Sequence, residues 1–195
     1  KNNRPDIYVA THKILTCSSY LVFRLTGEYV IDHYTAANNT PLYSADKLAW
    51  SDELTSRIIP LDKLPDCRWT TDIAGEVTPE AARETGLAAG TPVTCGTIDA
   101  AAEALSVGVL KPGDMMLMYG STIFIIALTS SRVRDARLWY APWLFPGQHA
   151  SMAGLATSGT LTHWFRENFA RELDPADAII KLSAEAAASP AGANG

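Results

Sequence analysis

Six segments of the chain predict helices, either because apolar residues recur at every third or fourth position or because helix-ending residues bracket a run of good helix formers. The predicted helices are Tyr8–Leu25, Leu48–Ile59, 79–85, Ala100–Leu105, Ser158–Ala170 and Pro175–Ala187. Thr78, Pro79 and Gly86 bracket the third of them as N-cap, first helical residue and C-terminal glycine. Gly27 follows the first segment and predicts its end in the same way.

Short apolar runs between these helices predict β-strands. They lie at 73–78, 92–97, 115–118, 123–128 and within 138–156. The runs on either side of Tyr119–Thr122 predict a β-hairpin whose turn is small and rich in hydroxyls. "KPGD" at 111–114 predicts a tight turn just before that hairpin.

Segment 28–44 has no steady period, which predicts a short strand followed by a loop. "HYTAANN" at 33–39 gathers small polar side chains in that loop. Such side chains hydrogen-bond sugar hydroxyls well, but they are equally common in plain loops, and the plain loop is the simpler interpretation.

The alternation of strands and helices, and the new hairpin after "KPGD", predict parts of two α/β units that meet near residues 108–114. Neither half looks closed. The chain begins with "KNNRPD" and ends with "AASPAGANG", so both ends resemble cuts through a longer protein.

Composition and charge narrow the class of protein. The 195 residues are 47% hydrophobic and 19% charged, with a net charge of −5, which is typical of a folded domain with a sizeable core. Basic residues do not cluster, which argues against a nucleic-acid or anionic-membrane surface. No apolar run approaches the length of a membrane span. The three cysteines lack metal-ligand spacing and indicate reduced thiols in a cytoplasmic protein, with no metal site of its own.

Asp99 is the leading candidate for chemistry. It stands in "VTCGTIDAAAEALSVG", between a predicted strand and a predicted helix, with apolar residues on both sides. The carboxyl end of a strand is where α/β proteins place their ligands, and a carboxylate there can accept the proton of a substrate hydroxyl. The alternative is that Asp99 only caps the helix that follows it.

The hairpin tip is the second candidate. Gly120, Ser121 and Thr122 can present backbone amides and hydroxyls to an anion, although short Gly-Ser-Thr tips are also ordinary turns. A base on one lobe and a phosphate cradle on the other, with a cleft between them, is a layout that suits phosphoryl transfer.

The helix predicted from Ser158 begins with hydroxyl residues and Gly159, a composition that suits an anion-facing end. His163 falls one turn further on, where a lone histidine is more often a packing or surface residue than a functional one. Trp164 and Phe165 are predicted to face the core. The chain has no Gly-x-Ser-x-Gly nucleophile motif, so a hydrolase is not indicated.

Taken in order, these segments resemble the middle of an FGGY-family carbohydrate kinase, and most of all the pentulose kinases such as the xylulose kinases. The resemblance covers essentially the whole chain and depends on collinear order rather than on one motif. The matching segments are "YLVFRLTGE", "DHYTAANNTPLY", "WSDEL", "AGEVTPEAARETGLAAGTPV", "GTIDAAAEALSVGVLKPGD", "MYGSTIFI" and "GLATSGTLTHWFRE".

The resemblance implies an α/β actin-like ATPase (ribonuclease H-like) fold, with parts of two domains around a cleft. Residues 1–110 would be the C-terminal part of the N-terminal, sugar-binding domain. Residues 111–195 would begin the C-terminal, nucleotide-binding domain. The implied reaction is ATP-dependent phosphorylation of a sugar or polyol hydroxyl with Mg²⁺ in the cytoplasm, by a protein that pairs in some members of the family and needs neither nucleic acid nor membrane.

The resemblance also assigns roles to residues. Asp99 would be the general base and would contact the sugar. Ala100 stands in the substrate site, where the family usually carries Asn or Gln beside the base. Gly120, Ser121 and Thr122 would hold the nucleotide phosphates, and Gly159 and His163 would line the nucleotide site.

Two departures from the family keep further interpretations open. The family's first phosphate loop and its adenosine-binding Gly-Gly segment are not in these 195 residues, so we expect the isolated chain to be inactive. Ala100 and the Gly-Ser-Thr order of the hairpin also fit a non-catalytic, sugar- or nucleotide-binding relative of the kinases.

Overall fold

A computed structural model describes residues 1–194 of the chain. The helices in this part are α1 Pro5–Ala10, α2 Cys17–Thr26, α3 His33–Ala37, α4 Asp52–Ile58, α5 Pro79–Thr85, α6 Asp99–Ser106, α7 Gly159–Phe169 and α8 Ala178–Ala188. The strands are β1 Val30–Asp32, β2 Tyr43–Ser44, β3 Ala49–Trp50, β4 Asp66–Arg68, β5 Ile73–Glu76, β6 Pro92–Thr94, β7 Met115–Tyr119, β8 Ile123–Thr129, β9 Trp139–Pro142 and β10 His149–Leu155. Short 3₁₀ segments lie at Leu61–Lys63 and Ala191–Asn194.

The chain divides into two compact units. The first contains Lys1–Met116 and Ile126–Met152, and the second contains Leu117–Ile125 and Ala153–Gly195. No helix within residues 1–194 combines the length and the apolar character needed to cross a membrane.

The strands form one larger sheet and three two-stranded pairs. The larger sheet has the order β7-β8-β10-β9, and β9 and β10 run antiparallel with His149 opposite Pro142. β1 and β4 are parallel, with Asp32 opposite Arg68 at their carboxyl ends. β5 and β6 are antiparallel, and so are β2 and β3.

Small apolar side chains and two large aromatic rings build the core of the first unit. Val22, Val30, Ala74 and Cys95 form a buried cluster between α2 and the strands. Elsewhere in the unit, the buried rings of Tyr34 and Trp143 meet edge to face with centroids 5.4 Å apart. Burying an aromatic side chain of this size contributes about 1.5–3 kcal/mol of stability.

The structure confirms the helix caps and the tight turn that the sequence predicts. The Thr78 hydroxyl accepts a hydrogen bond from the Ala81 amide at 3.2 Å, and α5 ends at Gly86 with φ +78°. α2 ends in the same left-handed way, at Gly27. The "KPGD" turn forms, and its Asp114 carboxylate accepts the Leu110 and Lys111 amides.

The predicted helix Tyr8–Leu25 is wrong as one element. The chain is extended between α1 and α2, where the Ile14 amide donates to the Lys63 carbonyl at 2.8 Å, and Thr16 then caps α2. A hydrogen bond to a distant segment therefore replaces a turn of helix that the local spacing favours.

Two other helices begin later than predicted. α4 begins at Asp52 rather than Leu48, because Ala49 and Trp50 pair with β2. α8 begins at Ala178 rather than Pro175, after a turn in which the Ala178 amide bonds the Asp174 carbonyl.

The loop predicted for "HYTAANN" is also wrong. His33–Ala37 is helix α3, and its first four residues are buried. Asp32 caps this helix by accepting the Thr35 amide at 3.3 Å. His33 and Tyr34 find partners in the Tyr43 hydroxyl and the Met152 sulfur, whereas the buried Thr35 hydroxyl has none among the described residues.

The three cysteines are free thiols. Burial raises the pKa of Cys67 and of Cys95 to about 12, which makes both thiols poor nucleophiles at neutral pH.

His33 is a titratable ring in a buried, hydrogen-bonded position. Its Nδ1 atom shares a hydrogen bond with the Tyr43 hydroxyl at 2.9 Å, its ring meets Trp69 edge to face, and burial lowers its pKa below the usual 6.5. The folded state therefore favours the neutral ring, so the stability that depends on it is complete above pH about 6.5 and is lost as the pH falls.

We expect the thermal midpoint of the wild type to fall between pH 7.5 and pH 5 more steeply than that of His33→Gln, which has no ring to protonate. Thermal denaturation followed by circular dichroism at both pH values measures the difference. Parallel pH profiles for the two proteins would contradict the assignment.

Candidate active site

Backbone hydrogen bonds to the turn after β4 hold the loop that carries Asp99. It leaves β6 at Thr94, and its Cys95 and Gly96 amides donate to the Asp72 and Thr70 carbonyls at 2.8 and 3.1 Å. Gly96 has φ +69°, a conformation that residues with a side chain rarely adopt. The turn after β4 therefore holds the loop that follows β6.

Asp99 is the first residue of α6 and is exposed. Its Oδ1 atom accepts the amide of Ala100 at 2.8 Å. The N-cap is Ile98, so the interpretation of Asp99 as a plain N-cap is wrong. The same helix buries Ala101 and Ala104 completely, which explains the alanine run. The result is an accessible carboxylate on a helix end that is anchored in the core and whose dipole favours negative charge.

A second carboxylate, Asp32, lies behind this loop and was not singled out from the sequence. It is 2% exposed, and its Oδ2 atom accepts the Thr97 hydroxyl at 2.9 Å, the Thr35 amide at 3.3 Å and the Thr70 hydroxyl at 3.4 Å. Burial raises the pKa of Asp32, and hydrogen bonds from Thr35 and Thr97 oppose the rise. The sequence signal that could have revealed Asp32 is an acidic residue at the end of the apolar strand β1.

Both acids influence the pKa of the Tyr34 hydroxyl. Burial is the main cause that raises the pKa of its hydroxyl, and the negative charges of Asp32 and Asp99 add to it. The hydroxyl donates to the Met152 sulfur at 3.0 Å, so it stays a neutral packing group near the candidate base.

The predicted hairpin is confirmed in the second unit. β7 ends at Tyr119, β8 begins at Ile123, and the Gly120 amide donates to the Thr122 carbonyl at 2.9 Å across the tip. The Ser121 and Thr122 side chains are exposed, and their hydroxyls have no hydrogen-bond partner within residues 1–194. They are free to donate to an anion.

The start of α7 holds this tip from behind. The Ser158 and Gly159 amides donate to the Ser121 and Gly120 carbonyls, both at 2.9 Å. The Ser158 hydroxyl also donates to Gly120 O at 3.0 Å, and the Thr160 hydroxyl donates to Ser121 O at 2.8 Å. The tip and the helix end therefore form one rigid piece, and these two amides serve the hairpin rather than an anion.

Gly159 is where the hairpin and the helix come closest. A Cβ atom added to Gly159 would lie 2.6 Å from the Gly120 carbonyl oxygen, well inside van der Waals contact with rigid backbone. The glycine is therefore required by close approach of two backbones, not by an unusual φ.

The remaining residues of α7 are open. His163 is exposed four residues after Gly159 and so lies on the same side of the helix. The prediction that Trp164 and Phe165 face the core is wrong, because they are 51% and 44% exposed. Both rings instead pack against Phe169 on the same helix.

A groove of about 530 Å³ opens in the second unit beside the hairpin, within the size range of small-ligand sites. Its wall is lined by Tyr119, Ser158, Leu161, Thr162, Phe165, Leu182, Ser183, Glu185, Ala186 and Ser189. The lining combines apolar side chains with hydroxyl groups and the Glu185 carboxylate.

Direct binding of a metal ion by the protein requires several donor side chains close together. Residues 1–194 contain no group of three or more His, Cys, Asp or Glu side chains that could hold an ion. Mg²⁺ carried by substrate phosphates commonly keeps its waters and takes only one or two carboxylates, so it does not require such a group.

Comparisons with known proteins decide the family. The model of the FGGY family of carbohydrate kinases, N-terminal domain, matches residues 1–106, which is more than half of the chain. The chain belongs to the FGGY family of carbohydrate kinases.

Individual relatives agree with this assignment. This FGGY chain is 29% identical to an autoinducer-2 kinase of Klebsiella pneumoniae, over 100% of the chain and 38% of the relative. It is 27% identical to a xylulose kinase of Bacillus subtilis, over 100% of the chain and 39% of the relative. The crystal structure of xylulose kinase from Rhodospirillum rubrum superposes with a TM-score of 0.87 at 31% identity, over 97% of this chain and 39% of that one.

The fold is therefore the α/β actin-like ATPase fold of the FGGY kinases, of which this chain contains part. The chain spans less than two fifths of the length of the relatives described above. Asp99 and Ala100 belong to the first unit, and Gly120, Ser121 and Gly159 belong to the second.

The close approach at Gly159 predicts that alanine is not tolerated there. Alanine favours helices over glycine by about 1 kcal/mol, but the Cβ clash with a backbone carbonyl costs about 1–3 kcal/mol and separates the helix from the hairpin. We expect Gly159→Ala to lower the free energy of unfolding of the second unit, measured by urea denaturation.

Gly120→Ala is the matched control, because its Cβ would meet only the Thr122 carbonyl oxygen at 3.9 Å, an ordinary contact. Equal stability of the two alanine variants would show that the close approach is not maintained in solution.

Proposed function

We propose that the full-length protein transfers the γ-phosphoryl group of ATP to a hydroxyl of a sugar, with Asp99 as the general base. The observation that carries the proposal is an accessible carboxylate at the start of α6, on a loop that the core holds in place, in a chain of the FGGY family. Positioning and electrostatics dominate catalysis of phosphoryl transfer, and a carboxylate so held can supply both.

In this proposal the Asp99 carboxylate accepts the proton of the sugar hydroxyl while the hydroxyl oxygen forms its bond to the γ-phosphorus. The bond from that phosphorus to the β-γ bridging oxygen breaks, and ADP leaves. Bound MgATP supplies the phosphoryl group and the counter-charge for the phosphates.

The second unit takes the nucleotide in this proposal. The Ser121 and Thr122 hydroxyls donate to the phosphates from a tip that Gly120 shapes and α7 holds rigid. Gly159 and His163 line the nucleotide side. The exposed hydroxyls of the tip and the groove beside it support this role. The proposed domains assign 1–110 to the sugar and 111–195 to the nucleotide, and the second unit lies within the latter range.

The proposed substrate is a pentulose such as xylulose, or a related sugar or polyol. Similarity to a xylulose kinase and to an autoinducer-2 kinase supports a small polyhydroxylated substrate. Ala100 adds no polar group beside the base, so hydrogen bonds at that position must come from other residues.

Ala100 also favours the second candidate, a sugar- or nucleotide-binding relative without turnover. A panel of pentuloses, hexuloses and polyols with MgATP separates the two candidates. Formation of ADP with any of these sugars excludes the non-catalytic candidate, and its absence with all of them supports it.

Asp99→Asn keeps the shape of the side chain and removes the base. Loss of a general base reduces turnover by about 10²–10⁴-fold, so we expect kcat to fall by that factor while the sugar still binds. A coupled assay for ADP release and calorimetry with the sugar measure the two effects.

Glu103→Gln is the control for Asp99→Asn, because Glu103 is an exposed acid one turn further along α6. Its kcat is expected to match the wild type. If Asp99→Asn turned over at the wild-type rate, Asp99 would not be the base.

The hairpin hydroxyls are tested separately. A hydrogen bond to a charged phosphate contributes about 1.5–3 kcal/mol, so we expect Ser121→Ala to raise the KM for ATP about tenfold or more and to leave the KM for the sugar unchanged. Steady-state kinetics with each substrate varied in turn provide the measurement. Thr129→Val at the opposite end of β8 is the control, and an equal effect there would remove the hairpin from the nucleotide site.

A further inference from the structure

We propose that Asp32, a residue that touches neither substrate, is a positioning residue that sets the place of Asp99 through the Thr97 hydroxyl. The inference rests on the proposed function of Asp99. It concerns a buried carboxylate that the reaction itself does not use.

Asp32 lies where three chain segments of the first unit converge. It is the last residue of β1, its parallel neighbour β4 ends at Arg68 and leads into the turn that contains Thr70, and β6 leads into the loop that contains Thr97. One carboxylate oxygen, Oδ2, receives hydroxyls from both of these segments and the amide of Thr35. A single atom thus ties together the carboxyl ends of three strands.

The shortest of these hydrogen bonds is the one nearest Asp99. The distance from Thr97 Oγ1 to Asp32 Oδ2 is 2.9 Å, and only Ile98 separates Thr97 from Asp99. The preceding residues Cys95 and Gly96 are already held by backbone hydrogen bonds. The Thr97 hydroxyl is therefore the last side-chain anchor before the helix on which Asp99 stands.

Asp32 cannot be the base itself. It is 2% exposed, and the oxygen that receives three donors has little capacity left for a substrate proton. Its effect on catalysis must pass through the groups that bind it.

The energetic cost of this arrangement supports a role in geometry. A buried carboxylate is expensive to desolvate, and apolar replacements of buried charges are often as stable. We infer that this desolvation penalty is retained because the charge holds its donors in one arrangement. In catalysis, misplacing a group by about 1 Å can reduce the rate about 100-fold.

Two threonines provide a matched pair for the test, because both donate a hydroxyl to the same oxygen and only one lies on the Asp99 loop. In the full-length protein we expect Thr97→Val to lower kcat about 10–100-fold with an unchanged KM for ATP. Thr70→Val is expected to keep kcat within about twofold, because it removes only the 3.4 Å hydroxyl bond to Asp32 and leaves the Thr70 carbonyl that accepts the Gly96 amide. Thr97→Ser keeps the hydroxyl and is expected to retain the wild-type kcat.

Amide hydrogen exchange gives a readout that does not depend on turnover. Loss of the anchor should speed exchange at the Ala102 amide, which donates to the Ile98 carbonyl in the first turn of α6, in Thr97→Val and not in Thr70→Val. If the wild type phosphorylated no sugar, the proposed function would fail while the exchange result would still decide the anchoring. Equal kcat values for the two valine variants in an active protein, or equal exchange at the Ala102 amide, would overturn the inference.

Discussion

One buried carboxylate, that of Asp32, joins three segments of the first unit. Local sequence does not fix the relative positions of strand ends that come from different parts of the chain. The Asp32 Oδ2 atom is a common acceptor for donors from three such segments. Because the carboxylate is 2% exposed, its charge is stabilised by those donors and hardly by water. Helix α3, the turn after β4 and the loop before α6 are positioned together as a consequence.

In the second unit, close packing depends on a residue without a side chain, Gly159. Gly159 lets the start of α7 approach the Gly120 carbonyl to hydrogen-bond distance, and four hydrogen bonds then hold the hairpin tip to the helix. The backbone carbonyls of the tip face the helix, and the Ser121 and Thr122 hydroxyls remain exposed. Rigidity on one side and free donors on the other are what a phosphate-binding turn needs.

Both proposed catalytic elements are therefore exposed groups on well-anchored turns. Asp99 stands on a helix whose Ala101 and Ala104 are completely buried, and Ser121 stands on a tip tied to α7. In the proposed function these elements serve one reaction, and the local structure explains how each is held. Preorganisation of this kind is the main source of rate in phosphoryl transfer.

The sequence by itself determined whatever depends on neighbouring residues. The cap and end of α5, the hairpin around Gly120, the turn at "KPGD" and the strand-to-helix junction at Asp99 all follow from backbone preferences of a few residues. Collinear motifs were also enough to suggest the family. The tertiary structure decided which segments leave their local preference. It ended α1 at Ala10, folded His33–Ala37 into a largely buried helix and gave Asp32 two hydroxyl donors. The partners that decide these outcomes lie far along the chain, namely Lys63 for Ile14, Met152 for Tyr34, and Thr70 and Thr97 for Asp32.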